Sequence, residues 1–255
     1  MRKVLRFTIS ILVLSLVMNV HAADKKSKKK GKVEATTIVK PVIIKEEPKP
    51  IVMQPISAAD TAIFVTIETN MGNIKLRLYN ETPKHKANFI KIIQDGVLDS
   101  TLFHRVIDEF MIQGGDPNSK NAKVGDRLGM GGLDYRVDAE FNKNLIHKRG
   151  VLAAARDNNP AMASSSTQFY IVDGRTFTAD ELNTLATRTD NHWTEDQKKI
   201  YETIGGAPFL DMKYTVFGEV VEGMDVVDKI AKVAKDPYDR PLIDVRMLKI
   251  SLSRE

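Results

Sequence analysis

The chain has 255 residues, of which 42% are hydrophobic and 28% charged, as is typical of a globular protein with one large domain or two small ones. It contains no cysteine, which excludes disulfides, thiolate metal sites and cysteine nucleophiles. Its five histidines are scattered with no pair at metal-ligand spacing, so we expect neither a metal nor a cofactor.

The net charge of +5 is unevenly distributed along the chain. Residues 1–22 carry +3 and residues 23–60 carry +4, which leaves −2 for residues 61–255. A mildly acidic body is poorly suited to the phosphate backbone of nucleic acid, so we expect no nucleic-acid partner.

The first 22 residues have the pattern of a secretory signal peptide. Arg2, Lys3 and Arg6 form a positive region, and the apolar stretch 7–20 follows it. A membrane span needs about 20 residues, so cleavage near Ala22 is favoured over an uncleaved amino-terminal anchor. We therefore predict an exported protein, with the periplasm as its compartment.

Residues 23–60 are predicted to form a disordered linker. They are rich in lysine and proline and poor in aromatic residues, so they cannot bury enough apolar surface to offset the entropy of ordering. The alternative is that the lysines of residues 25–32 contact an anionic envelope surface.

Residues 61–255 are predicted to form one β-rich domain. Apolar and polar residues alternate over 63–67 and 74–78, which indicates a hairpin with its turn at 71–73. The stretch 103–116 reads as a strand, a tight connection and a second strand.

Two helices are expected to pack on these strands. The first has Thr82 as N-cap and Pro83 as its first residue, ends near Asp95 and carries His85 on its surface. The second, over 224–234, has one apolar stripe.

Further strands are predicted at 151–155, 168–172, 214–221 and 242–252. Residues 175–206 interrupt the β pattern with two capped helices, at about 179–188 and 195–204. The glycine-rich residues 129–132 match a phosphate-binding turn only weakly, because no helix follows them. Short strands with two core helices favour a closed β-barrel over a doubly wound sheet.

Several segments resemble, in order, the cyclophilin family of peptidyl-prolyl cis/trans isomerases. Residues 103–107, Phe-His-Arg-Val-Ile, and 110–116, Phe-Met-Ile-Gln-Gly-Gly-Asp, resemble the family signature. Residues 150–155, 166–171 and 216–227 resemble its later segments. The resemblance covers about residues 62–255 and is interrupted by the helical insertion near 175–206. It implies a mainly β fold, a closed eight-stranded antiparallel barrel capped by two helices, with a substrate groove on its outer surface.

The resemblance also implies an activity and a set of site residues. The activity is isomerisation of X-Pro bonds in folding client proteins, by a chain that we expect to be a monomer. The catalytic arginine falls on Arg105, with Gln113 beside it. The substrate-binding positions fall on Phe110, Met111, Ala155, Arg156, Gln168, Tyr170, Phe209, Leu210 and Tyr214.

Three of these residues depart from the common family pattern. Tyr214 stands where many members have histidine, and Arg156 stands where many have asparagine at a position that mainly offers its backbone. Phe209 replaces the tryptophan of cyclosporin-sensitive members, so we do not expect tight cyclosporin binding. His104, next to the arginine, is expected to be structural because the reaction needs no proton transfer.

The chemistry fits a chain without nucleophile or metal. Amide resonance gives the X-Pro bond a barrier of about 18–20 kcal/mol, and rotation makes and breaks no covalent bond. A charged arginine can stabilise the imide nitrogen as it gains lone-pair character in the twisted state.

The sequence is compatible with two other functions. A binding module or chaperone would hold proline-containing segments with little turnover. An envelope-anchored structural protein would use the basic tail.

Overall fold

A computed structural model describes residues 62–254, and the predicted signal peptide, linker and envelope contact lie outside them. The strands are β1 (Ile63–Thr69), β2 (Gly72–Leu78), β3 (Phe103–Ile107), β4 (Met111–Gly114), β5 (Arg136–Val137), β6 (Val151–Ala154), β7 (Ser164–Ser165), β8 (Phe169–Val172), β9 (Val216–Glu222) and β10 (Met247–Arg254). The α-helices are α1 (Pro83–Gln94), α2 (Ala179–Thr189), α3 (Glu195–Thr203) and α4 (Met224–Ala231). None of these helices is long and apolar enough to cross a membrane.

Eight of the strands form one antiparallel sheet in the order β10-β1-β2-β9-β6-β8-β4-β3. Its two edges meet at an isolated bridge between Leu102 and Arg246, supported by a 2.9 Å hydrogen bond from Phe103 N to Val245 O. The eight-stranded antiparallel fold is confirmed. Its closure is less complete than predicted, because the seam is a bridge and not a continuous ladder.

The interior of the barrel is apolar and follows the alternation seen in the sequence. In the β1–β2 hairpin, Val65 pairs with Leu76 and Ile67 pairs with Ile74, and all four side chains are fully buried. Helices α1 and α4 add their apolar faces to the same core, as predicted. The helix residues in this core are Phe89, Ile92, Ile93, Val226, Val227, Ile230 and Ala231.

The N-terminus of α1 is capped differently from the prediction. Thr82 makes no side-chain capping bond. Instead the Glu140 carboxylate accepts from the backbone N–H groups of Lys84 (3.0 Å) and His85 (2.9 Å). The His85 ring is buried, 2.7 Å from Glu140 and 2.9 Å from Ser164 Oγ. Its predicted surface position is therefore wrong.

The insertion contains the two predicted helices, and each begins with a capping box. Thr178 and Glu181 exchange hydrogen bonds at the start of α2, and Thr194 and Gln197 do so at the start of α3. The insertion has a small core of its own, separate from the barrel interior. The buried members of this core are Ile146, Leu182, Trp193 and Tyr201.

Two details differ from the predicted strands. The last strand begins at Met247 and not at Leu242, whose side chain is exposed, as is that of Ile243. A two-stranded ribbon of β5 and β7 is present that was not predicted. Both differences arise where pairing depends on a distant partner strand, which local alternation does not reveal.

Candidate active site

A row of side chains crosses the outer face of the sheet. Arg105 on β3 pairs with Gln113 on β4. Tyr170 on β8 lies between two partners, Gln113 on one side and Ala153 of β6 on the other. Because side chains alternate between the faces of a strand, the four residues point to the same side, opposite to the barrel interior.

A β-bulge at His104 turns Arg105 outward. The ladder pairs Phe103 with Gly114 and then Arg105 with Gln113, so His104 is the extra residue. Phe103 therefore belongs to the barrel core while Arg105 faces out of it.

Arg105 is held at one edge of its guanidinium and open at the other. Its Nη1 donates to Gln113 Oε1 at 3.5 Å, and its Nε lies 3.6 Å from Asp239 Oδ2. Among residues 62–254, its Nη2 has no hydrogen-bond or ion-pair partner, and 42% of the side chain is exposed. Charged N–H groups are thus available to a ligand in the groove.

Gln168 supports Gln113 from behind. Gln113 Nε2 donates to Gln168 Oε1 at 3.2 Å, and Gln168 Nε2 donates to the carbonyls of Gly129 (3.0 Å) and Gly131 (2.7 Å). Gln168 is nearly buried, so it acts on Gln113 more than on a ligand. We call Arg105, Gln113 and Gln168 the arginine wall.

The glycine-rich turn is not a phosphate site. The backbone N–H groups of Gly129 and Gly131 both donate to Asp116 Oδ2, at 2.6 and 3.2 Å. A carboxylate of the chain itself already occupies the place that an anion would take.

Beside the arginine wall lies an apolar surface outside the barrel. Met111, Ala155 and Tyr170 are buried in a cluster of their own, against which Phe110, Leu210 and Tyr214 pack. Such a surface can accept an apolar ring while the cationic edge of the groove remains wet.

Phe209, Leu210 and Tyr214 form the opposite side, which we call the aromatic wall. The Phe209 ring lies 5.4 Å from that of Phe110, and the Tyr214 ring packs edge-on against Tyr170 at 6.0 Å. A short 3-10 turn, Pro208–Leu210, carries the first two wall residues.

Arg156 supports this wall with its side chain. Its guanidinium lies 4.8 Å over the Tyr214 ring, and its Nε donates to Lys213 O at 2.9 Å. The position was expected to offer mainly its backbone, so this side-chain role is new.

The family assignment follows from comparison of the sequence. Residues 64–252 match the family model described as cyclophilin type peptidyl-prolyl cis-trans isomerase/CLD. The chain belongs to this family. It is a peptidyl-prolyl cis-trans isomerase.

Curated relatives agree with the assignment to this family. A Staphylococcus saprophyticus protein, provisionally named a peptidyl-prolyl cis-trans isomerase, is 34% identical over 194 residues, covering 74% of this chain and 91% of the relative. A Staphylococcus aureus protein with the same name is 36% identical over 187 residues, covering 72% and 88%.

The fold has a solved counterpart in a Cryptosporidium parvum cyclophilin type isomerase. Its crystal structure has a TM-score of 0.55 and 23% identity, covering 76% of this chain and 99% of that one. A second structure of it, in the presence of the dipeptide Ala-Pro, has a TM-score of 0.54 at 23% identity, covering 75% and 99%.

A pocket of about 640 Å³ shares four residues with the candidate site, namely Gln113, Ala155, Arg156 and Gln168. Elsewhere in the described part of the chain, no three His, Cys, Asp or Glu side chains converge as metal ligands.

Sequence patterns did not reveal three residues around the groove. Asp239 flanks Arg105, while His147 and Asp211 form a buried 2.8 Å pair behind Tyr170. His147 and Asp211 lie far apart in sequence, so no local spacing connects them. The one sequence feature that could have drawn attention to Asp211 is a carboxylate placed directly after the apolar residues Phe209 and Leu210.

Two ionisable groups of the site have pKa values altered by burial. Burial lowers the pKa of His104 to about 4, so the ring is neutral at pH 7, as its expected structural role requires. Burial also raises the pKa of the Tyr170 hydroxyl well above its usual value.

Proposed function

We propose that Arg105 is the catalytic residue of this isomerase and acts on the imide of an X-Pro bond as it twists. The observation that carries the proposal is the placement of a half-exposed arginine, with Nη2 free among the described residues, directly beside the apolar cluster of Phe110, Met111 and Tyr170. The ring and the imide nitrogen of one proline residue would occupy these two adjoining places.

Binding and catalysis divide between the two sides of the groove. The apolar cluster and the aromatic wall hold the proline ring through burial of its methylene groups, at about 0.8 kcal/mol for each. Arg105 donates to the carbonyl of the proline and presents N–H groups to the imide nitrogen. This nitrogen becomes a better acceptor only when resonance is lost, so the contact favours the transition state over the ground state.

Gln113 serves as the positioning residue for Arg105. Its amide oxygen accepts from Nη1 of Arg105 and its amide nitrogen is fixed by Gln168. A guanidinium held in this way loses less freedom when it meets the transition state. The substrate-binding roles of Ala155, Arg156 and the aromatic wall belong to the same proposal.

The biological role that we propose is acceleration of proline-limited folding of exported proteins in the periplasm. The amino-terminal pattern of a positive region followed by an apolar stretch supports export. Uncatalysed X-Pro isomerisation takes about 10–100 s, which is slow enough to limit the folding of client proteins.

The test compares wild type, Arg105→Ala and Arg105→Lys in an isomerisation assay on a short Ala-Pro peptide. We expect Arg105→Ala to lose about 100- to 1000-fold in kcat/KM, since one preorganised donor to the transition state is typically worth that much. Arg105→Lys keeps the charge but not the fixed fork, so it should recover little.

Thermal unfolding is the control, because the half-exposed Arg105 side chain contributes little to the core. We expect both variants to unfold at the wild-type temperature. Arg105→Ala with wild-type activity would overturn the mechanism, and loss of activity together with loss of fold would assign the arginine to stability.

A further inference from the structure

A buried carboxylate connects the insertion to the groove. Asp211 Oδ1 accepts from the backbone N–H and from Nδ1 of His147, both at 2.8 Å. Its Oδ2 accepts from Trp193 Nε1 at 2.7 Å and from the Tyr201 hydroxyl at 2.6 Å. Trp193 precedes α3 and Tyr201 lies on it, so the insertion supplies two of the four donors.

The His147 ring links the buried carboxylate to Tyr170. Its Nδ1–H donates to Asp211 Oδ1, and its Nε2 lies 3.0 Å from the Tyr170 hydroxyl. Burial raises the pKa of the Tyr170 hydroxyl well above its usual value, so the hydroxyl stays protonated. The His147 and Tyr170 rings lie nearly parallel, at 14°.

The same contacts fix the orientation of the Tyr170 ring relative to the groove. Its hydroxyl is turned towards His147, which leaves the ring to pack with Met111 and against the edge of Tyr214. A phenylalanine could fill the same volume but would lack the tether to His147.

We propose that Asp211 and His147 are positioning residues through which the inserted helices hold the ring of Tyr170 in place for turnover. This inference rests on the proposed function, because it assigns Tyr170 to the proline-binding surface. It gives the insertion a role in the isomerase reaction itself, although α2 and α3 contribute no residue to the groove.

A purely structural role would also use these hydrogen bonds, since a buried carboxylate needs its donors. The two roles differ in whether the effect of Tyr201 on kcat depends on Tyr170. If Tyr201 acts only on stability, removing its hydroxyl leaves kinetics unchanged. If it acts through Tyr170, its effect on kcat requires the Tyr170 hydroxyl.

The experiment is a double-mutant cycle in the full chain, with Tyr201→Phe, Tyr170→Phe and the double variant. We expect each single change to lower kcat on the peptide about threefold with KM unchanged, and the double variant to match Tyr170→Phe. Tyr79→Phe is the matched control. It keeps the ring that packs against the apolar cluster and removes only a hydroxyl that bonds to Glu219, so its kcat should stay at the wild-type value.

Trp193, the one tryptophan of the chain, provides a second readout that does not depend on turnover. Saturating peptide should change its fluorescence in wild type, and the change should be lost in Tyr170→Phe. The inference is overturned if the reduction in kcat of the double variant equals the product of the two single reductions. It is also overturned if Tyr201→Phe lowers the unfolding temperature without changing kcat, or if bound peptide leaves the wild-type fluorescence unchanged. Failure of the catalytic proposal would appear separately, as wild-type activity in Arg105→Ala.

Discussion

The two walls of the groove are held in different ways. The arginine wall stands on β3, β4 and the residue before β8, and the register of β3 with β4 sets Arg105 and Gln113 side by side. The aromatic wall stands on a 3-10 turn and the segment after it, and Asp211 ties that turn to the inserted helices. The comparison teaches that strand pairing within the barrel holds Arg105 and Gln113, while the opposite wall is tied by hydrogen bonds to the insertion.

The largest effect on stability is expected from the burial of His104 beneath the arginine wall. The folded pKa of His104 is about 4 against an ordinary value of 6.5, so the unfolded chain binds the extra proton first as pH falls. The contribution of the neutral His104 ring to the free energy of unfolding is fully present above pH 6.5. It is lost as the pH falls from 6.5 towards 4. Between pH 7 and pH 5 we expect roughly 2 kcal/mol less free energy of unfolding, measured with urea.

His104→Gln is the matched variant, because it is neutral at both pH values. Its loss of stability between pH 7 and pH 5 should be smaller than that of wild type by that amount. His85, whose pKa burial also lowers, contributes to both proteins and cancels in the difference. An equal pH dependence in the two proteins would mean that the bulge of β3 is open to solvent.

A smaller effect on kcat/KM should show what Gln113 contributes apart from Arg105. Gln113→Ala removes the acceptor of Arg105 Nη1 and the donor to Gln168. We expect kcat/KM to fall about tenfold, mostly through kcat, because a positioned hydrogen bond is worth about 1 kcal/mol or slightly more. Gln94→Ala, at the exposed end of α1, is the control and should match wild type. A change confined to KM would place Gln113 in substrate binding alone.

The smallest effect is expected on the aromatic wall. Phe209→Ala removes a ring that contacts Phe110, and such contacts are worth about 0.5–1.5 kcal/mol. We expect KM to rise about threefold with kcat nearly unchanged, as measured in the peptide assay. Phe209→Trp keeps an aromatic surface and should stay near wild type. A fall in kcat in Phe209→Ala would show that this wall also acts in the transition state.

The sequence predicted the arginine wall better than the aromatic wall, for a physical reason. Residues 103–116 form a hairpin, so the pairing that places Arg105 beside Gln113 is local and can be expected from this stretch alone. The outward turn of Arg105 itself needs the bulge at His104, which alternation alone does not predict.

The parts that were missed depend on contacts between distant residues. His147 and Asp211 meet because the backbone of residues 147–149 bonds to that of residues 205–207, a pairing between distant parts of the chain. Glu140 caps a helix more than fifty residues before it, and this buries a histidine that helix periodicity put at the surface. Contacts of this kind follow from tertiary packing and leave no spacing in the chain.

The central claim is that Arg105 stabilises the twisted imide and contributes little to ground-state binding. The most direct measurement is NMR of an Ala-Pro peptide with wild type and Arg105→Ala, which gives the peptide affinity and the catalysed cis-trans exchange rate in the same sample. We predict that Kd changes by no more than about threefold while exchange slows by about 100-fold or more. Exchange that slows only in proportion to lost affinity, or not at all, would contradict the claim.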